Sequence, residues 1–560
     1  MKQPPSPLRS AQSTAGVGAA AASEDFARRR AALAASMRAQ GGGVAVVFTA
    51  PEVPRNRDSD FPYRHDSYFH YLSGFPEPEA AVVIVAGRDT ARSILFCRSK
   101  HEEREIWDGF RYGPKAARKR FGFDEAFAIE ELDTQMARLL ANQSAIFYAL
   151  GTSARLDAHV QRWLREVRAQ SRAGVAAPFR ALDVTRILDE MRLVKDAAEI
   201  EIMRKAAKIS AGAHVRAMRQ TRPGRREYEI EAELLHEFRR HGSPFPAYGS
   251  IVAGGANACV LHYRENDALL HDGDLLLIDA GCELDGYASD ITRTFPVNGR
   301  FSGAQRELYD IVLASQRAAE AATAPGRHFM EPHDAAVKVL AQGMIDCKLL
   351  KGSLDGVLES GSYRRFYMHR TGHWLGRDVH DCGDYREPAA DLKTVAGNGM
   401  PDLVARDSEA DRKAKGKANR QAAGKLSDKA ADKRSGKSAA KADAAGAAAA
   451  AAAEKPWRIL VPGMMVTIEP GIYVRAADDI PKAFRDIGIR IEDDALLTAG
   501  GCELITADVP KNADDIEALM ADARHGKLVA VGAAPQPPVA TPPPAAGASP
   551  KQRRLRKVRA

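Results

Sequence analysis

The most informative alternation of apolar and polar positions lies in the C-terminal half of the chain. Leu275–Ile278 is an unbroken apolar run, the pattern of a buried strand. Asp285-Gly286 follows it, the pair favoured in a two-residue type I′ turn. A hairpin centred there sets Leu284 opposite Tyr287, Cys282 opposite Ser289 and Gly281 opposite Asp290. Asp279 then shares a face with Asp290 as its diagonal neighbour, with Cβ atoms about 7–8 Å apart or somewhat less. Gly281 reads as leaving the spot opposite Asp290 clear. Met464–Gly471 alternates, with Val466 and Ile468 on one face and Thr467 and Glu469 on the other. Pro470 ends that strand because it has no N–H for the ladder. Ile487–Asp493 reads as one more alternating strand, with Ile489 and Ile491 inward and Arg490 and Glu492 sharing the opposite face.

The N-terminal half reads as alternating helices and short strands, an α/β layer. Asp25–Met37 has helical spacing, and Val44–Phe48, Ala81–Val85 and Ser93–Phe96 are strand-like runs. Ile187–Met218 reads as one long helical region stopped by Pro223-Gly224, with further helices over Tyr228–His241 and Gln305–Ala322.

Chemistry gathers where the alternation is strongest. Two carboxylates on one hairpin face suit a pair of metal ions roughly 3.5–4 Å apart, although the hairpin alone reads equally well as two turn-flanking aspartates in solvent. Between the hairpin and the later strands lies MHRTGHWLGRDVHD, with His369, His373 and His380. Asp279, Asp290, His373, Glu469 and Glu492 therefore offer four carboxylates and one imidazole. Such an oxygen-rich set favours hard or borderline ions such as Mn²⁺ over the thiolate and imidazole sets of structural zinc.

The segments LHYRENDALLHDGDLLLIDAGCELDGYASDITRTFPVNG, HWLGRDVHD, TIEPGIYV and DIGIRIEDD closely resemble Xaa-Pro aminopeptidase (aminopeptidase P), of the pita-bread metallopeptidases. The resemblance runs from about residue 24 to 385 and from about 457 to 525, with all five ligand positions in the family's order. It implies an α+β protein: an N-terminal α/β domain followed by a C-terminal pita-bread (creatinase/aminopeptidase-like) domain. The implied activity is release of the N-terminal residue from peptides with proline at position two, with two divalent ions, most readily Mn²⁺, held by Asp279, Asp290, His373, Glu469 and Glu492. His262, His369, His380, Glu469 and Arg490 align with catalytic positions, and Tyr473, Asp58 and Trp107 with substrate-binding ones. The resemblance brings Asp58 near the active-site arginine, so Arg490 is expected to pair with it. Trp107 aligns with a tryptophan that reaches a neighbouring subunit, which implies a homo-oligomer, a dimer or tetramer. Arg370-Thr371-Gly372 stands where many members have Gly-Leu-Ser. A prolidase acting only on dipeptides and a non-catalytic pita-bread binding protein are the alternatives.

Composition refines this. The chain has 560 residues and a net charge of +8. Between Arg406 and Lys441 twelve Lys/Arg face five Asp/Glu, and six more basic residues lie between Lys551 and Arg559, so the rest of the chain carries −5. Basic character is thus confined to two low-complexity stretches, which leaves only weak, salt-sensitive nucleic-acid contacts. The expected division is a disordered lead-in over 1–23, an N-terminal domain over 24–178 and a catalytic domain over 179–525. A disordered Lys/Ala-rich insert over 386–456 interrupts the catalytic domain, and a Pro-rich basic tail covers 526–560. Six scattered cysteines without a CxxC pair fit a reducing compartment. No apolar run approaches the ~20 residues of a membrane span. The expected location is cytoplasmic.

Overall fold

The computed structural model describes residues 18–388 and 455–524. The greater part of the 386–456 insert, the tail, and the lead-in as far as residue 17 lie outside the described residues.

The first layer is a six-stranded mixed sheet. Its strand Gly43–Phe48 pairs antiparallel with Ala81–Ala86 and parallel with Ala145–Tyr148. The apolar run GVAVVF is buried on both faces: Val44 and Val46 pack into one core, Ala45 and Val47 into the other. The first helix spans Gly18–Ala39 and so begins inside the expected lead-in. Strand Arg180–Asp183 completes the sheet, and helix Thr185–Leu193 sends Ile187 and Leu188 into its core. The layer therefore runs past residue 178, where a boundary was expected.

One expected helix proves to be two. Ile187–Met218 breaks at Val194–Asp196, between Thr185–Leu193 and Ala197–Gln220. Asp196 is extended and accepts the N–H of Glu199, while Glu199 accepts that of Asp196, a reciprocal capping box that starts a new helix.

In the second half, helices Ala197–Gln220, Glu227–Arg240, Gly303–Ala322 and Glu331–Asp346 share one core with small antiparallel sheets. Leu275–Asp279 lies between Ile251–Gly254 and Thr292–Pro296. Cys282–Leu284 and Tyr287–Ala288 form the hairpin in the expected register, Leu284 opposite Tyr287. Asp285 (φ 49°) and Gly286 (φ 77°) are both left-handed, as a type I′ turn requires. Gly281 serves a different purpose from the one expected. A Cβ there would lie 1.6 Å from the Ser289 carbonyl oxygen, so its lack of a side chain permits close backbone approach.

The other ligand-bearing stretches form Met465–Ile468 with Asp493–Thr498, and Gly471–Val474 with Ile487–Arg490. Ile487–Asp493 is thus not one strand. It changes partner at Ile491-Glu492, and Glu492 instead bridges to Thr292. Where the chain leaves toward the insert and returns, Glu387 donates its N–H to the Pro456 carbonyl at 2.9 Å. The Arg386 guanidinium lies 3.3 Å from the Trp457 ring centroid.

Candidate metal centre

The ends of these strands converge on one buried group of acids. Asp279 ends its strand and Asp290 follows the hairpin, so the register carries both to the same place. Ligand atoms of Asp290, His373 and Glu492 lie within 4.8 Å of one another. His373 Nε2 is 3.5 Å from Asp290 Oδ2 and 3.5 Å from Glu469 Oε1. Its Nδ1 lies 2.9 Å from the Trp374 carbonyl oxygen. Donation to that carbonyl turns Nε2 toward the carboxylates, where a metal ion would take the place of its proton.

Thr292 Oγ1 donates to Glu492 Oε2 at 2.6 Å, and Thr467 Oγ1 to Glu469 Oε1 at 3.3 Å. The Tyr248 hydroxyl lies between the aspartates, 2.5 Å from Asp279 Oδ1 and in hydrogen-bond contact with Asp290 Oδ1. Behind them the buried Asp494 accepts the Asp290 N–H at 3.2 Å.

Burial and the repulsion of neighbouring acids push Asp279, Glu469 and Glu492 up. Asp279 is raised by burial and by Asp290, against the pull of Arg490. Burial raises Glu469 to about 7, with Asp290 and Asp279 adding to it against His373 and Arg490. Glu492 is raised well above the carboxylate range by burial and its acidic neighbours. Burial would lower His373, but the hydrogen bond to Asp290 and the field of Glu469 lift it to about 9. Four carboxylates facing one guanidinium and one imidazole form a donor set suited to divalent cations, with oxygen donors in the majority.

Arg490 is fully engaged. Its Nη2 reaches Asp279 Oδ2 at 2.5 Å, Nη1 donates to the Tyr473 hydroxyl at 2.9 Å and Nε to Thr292 Oγ1 at 3.1 Å. Tyr473 lies 2.8 Å from His369 Nε2, and His369 Nδ1 lies 2.8 Å from the Arg370 carbonyl. Burial first, then Arg490, lowers His369 to about 3, so it is neutral. This corrects the expected Arg490–Asp58 pair: Asp58 is exposed in the turn between Pro54–Asn56 and Ser59–Asp60. The guanidinium is spent instead on Asp279, Tyr473 and Thr292. His380 is exposed and its ring lies 4.1 Å from that of His373. His262 is also exposed, and its field reaches both His369 and His380. Trp107 is 85% exposed, far from an ordinary core residue.

Tyr248, Thr292 and Asp494 were not singled out in the sequence. Thr292 and Asp494 each lie two residues from a ligand, but no periodicity marks Tyr248. Exchanging Tyr248 for Phe removes a hydroxyl shared by two ligands. Metal affinity should fall about 10–100-fold, the usual scale for an outer partner, with the fold unchanged. Competition with a chelator measures this, and unaltered affinity would remove Tyr248 from the centre.

A buried acid cluster with one correctly oriented imidazole, raised on small sheets ringed by helices, defines a metal-dependent hydrolase of the pita-bread class. Residues 201–401 and 441–499 match the metallopeptidase family M24, and residues 26–148 match the aminopeptidase P N-terminal domain. The Xaa-Pro aminopeptidase of Escherichia coli is 40% identical over 502 residues, covering 90% of this chain and 98% of that protein. The structure of Pseudomonas aeruginosa aminopeptidase PepP superimposes with a TM-score of 0.76 at 42% identity, covering 90% and 99%. That of E. coli aminopeptidase P in complex with substrate gives 0.76 at 39%, with the same coverage. The chain belongs to the aminopeptidase P family of M24 metallopeptidases.

Proposed function

We propose that this centre removes the N-terminal residue from peptides whose second residue is proline. The observation that carries this reading is the convergence of Asp290, His373 and Glu492, with Asp279 and Glu469 beside them. We assign these five residues to two divalent ions, Mn²⁺ in preference because the donors are mostly carboxylate oxygens. When bound, the ions supply Lewis acidity, polarising the scissile carbonyl and bringing the pKa of water to roughly 7. Glu469 is assigned to orient that water and take its proton. The exposed His262 and His380 are assigned to the scissile carbonyl, to stabilise the charge that develops on its oxygen. Tyr473 and Arg490 fix the orientation of His369 and Asp279.

A two-domain division, with the first layer reaching through Leu193, and a homo-oligomeric state belong to the same reading. Ile106, Trp107 and Phe110 are 80%, 85% and 61% exposed, an apolar group suited to contact with another copy. Asp58 stays a candidate for substrate contact. Among the described residues no helix is long and apolar enough to cross a membrane, and all six cysteines are unpaired. A cytoplasmic setting fits this.

The test pairs elemental analysis with product release from Xaa-Pro-Yaa and Xaa-Ala-Yaa tripeptides and an Xaa-Pro dipeptide. Cleavage of the proline tripeptide by a metal-loaded enzyme is expected. Cleavage of the dipeptide alone would replace this reading with a prolidase, and no cleavage with a binding protein. His380→Ala should lower kcat roughly 10²–10³-fold, the scale of one lost oxyanion donor, with metal content unchanged. Loss of metal would instead make His380 a ligand.

A further inference from the structure

A cavity of about 430 Å³ lies between the N-terminal layer and the tip of the hairpin, away from the acids. Arg377 lines it, and is only 2% exposed. Its guanidinium lies over the Tyr287 ring at 4.6 Å and donates through Nη2 to His70 Nδ1. It also packs on the turn, where a Cβ at Gly286 would come within 2.5 Å of Nη2. Among the described residues no carboxylate forms an ion pair with Arg377, and its buried Nε has no hydrogen-bond partner.

The neighbouring cations are answered differently. Arg64 pairs with Glu283 at 2.9 Å, and Arg29 with Asp196 at 3.0 Å. The other acids on its walls are also turned elsewhere: Glu199 accepts from the Tyr287 hydroxyl at 2.7 Å and lies 3.5 Å from Arg29, Asp25 pairs with Arg28 at 3.0 Å, and Asp285 is exposed. His65 and His70 stack at 3.7 Å, and burial, with Arg377 and Arg64 nearby, pushes His65 down to about 3, so it is neutral. His70 Nδ1 is already an acceptor for the guanidinium, which disfavours a metal cation there.

A buried guanidinium with no counter-charge is costly, and its fork matches the oxygens of a carboxylate or phosphate. The volume suits a small molecule, and Phe26, Tyr287 and the histidine rings give aromatic walls. Pro244 and Asp285 are exposed at its mouth. We propose that this cavity binds a small oxyanion, a phosphate or the carboxylate of a small organic acid, through the Arg377 guanidinium. The site is tied to the hydrolytic centre by the backbone: Ala288 N–H donates to the Gly376 carbonyl at 2.8 Å, joining the hairpin to the loop that carries Arg377 and His373.

The test is calorimetric titration of the full-length, metal-loaded enzyme at constant ionic strength. Sodium phosphate and sodium benzoate are the probes, with chloride as the reference anion. The wild type should take up one equivalent more of phosphate or of benzoate than Arg377→Gln, or bind it at least tenfold more tightly. Uptake of phosphate alone assigns the site to phosphate, and of benzoate alone to an organic acid. Ala198→Trp, at the rim, leaves Arg377 in place, closes the cavity and should give the same loss. It decides the matter should Arg377→Gln fail to fold. Wild type and folded variants that titrate alike with both anions overturn the proposal.

Discussion

Replacing Asp290 with Ala is expected to lower kcat/KM by roughly 10³-fold or more, about 4 kcal/mol of transition-state stabilisation at 1.36 kcal/mol per decade. Asp290 is the meeting point of the centre. One oxygen lies near His373 Nε2, the other contacts Tyr248, and its backbone N–H is held by Asp494. At least one metal equivalent should be lost with it. The fold should survive, because the substitution removes a buried charge that raises Asp279 and Glu492 and so relieves repulsion within the cluster. Elemental analysis and far-UV circular dichroism measure the two halves of this expectation. A variant that keeps two tightly bound metals removes Asp290 from the ligand set.

The largest stability effect is expected one residue beyond Glu492. Asp493 and Arg293 are both fully buried and paired at 2.7 Å. Asp493 also accepts from Thr506 at 2.7 Å, Gln316 at 2.9 Å and Lys511 at 3.0 Å. Asp493→Asn leaves Arg293 buried without its counter-charge, at a cost of about 3–5 kcal/mol, which lowers Tm by on the order of 10 °C. Burial alone would raise the Asp493 carboxyl, but Arg293 and Lys511 override it and hold it at about 2. That is below the unfolded value of about 3.9. The stabilisation is therefore complete above about pH 4 and disappears as pH falls through about 2. Denaturation measured against pH should show a step in the wild type that is flattened in the variant. An unchanged acid limb would mean that Asp493 is not the titrating group.

The hairpin was legible because local chemistry dictates it. Asp285 and Gly286 both take positive φ, and once the turn is fixed, pairing places Asp279 and Asp290 without further information. Glu469 and Glu492 were legible from alternation, but their setting was not. IGIRIED alternates without interruption while its ladder partner changes at Ile491-Glu492, since side-chain period is silent about which strand lies alongside. The helix break at Asp196 had a signal in the Asp196–Glu199 capping box, overridden by the apolar period on either side. Tyr248 lies in a loop with no pattern, and its role exists only through contacts 31 and 42 residues away in sequence. Arg490 was read as facing the centre, yet its partner was misassigned. Which of several acids a guanidinium meets is a matter of tertiary distance, and Asp279 lies across the strand junction whereas Asp58 is out in solvent.

The paired base at Glu387 and Pro456 has a practical side. Because exit and return are held side by side by Tyr385–Glu387 and Pro456–Arg458, and the strand leading to Glu469 takes its register from Asp493–Thr498, neither depends on whatever joins the two ends. Each doubling of a joining segment costs only about 0.6 kcal/mol in closure entropy. This corner is therefore a natural graft point, where an affinity handle or a whole reporter domain whose termini lie close together can be spliced in while the hydrolytic machinery keeps its shape.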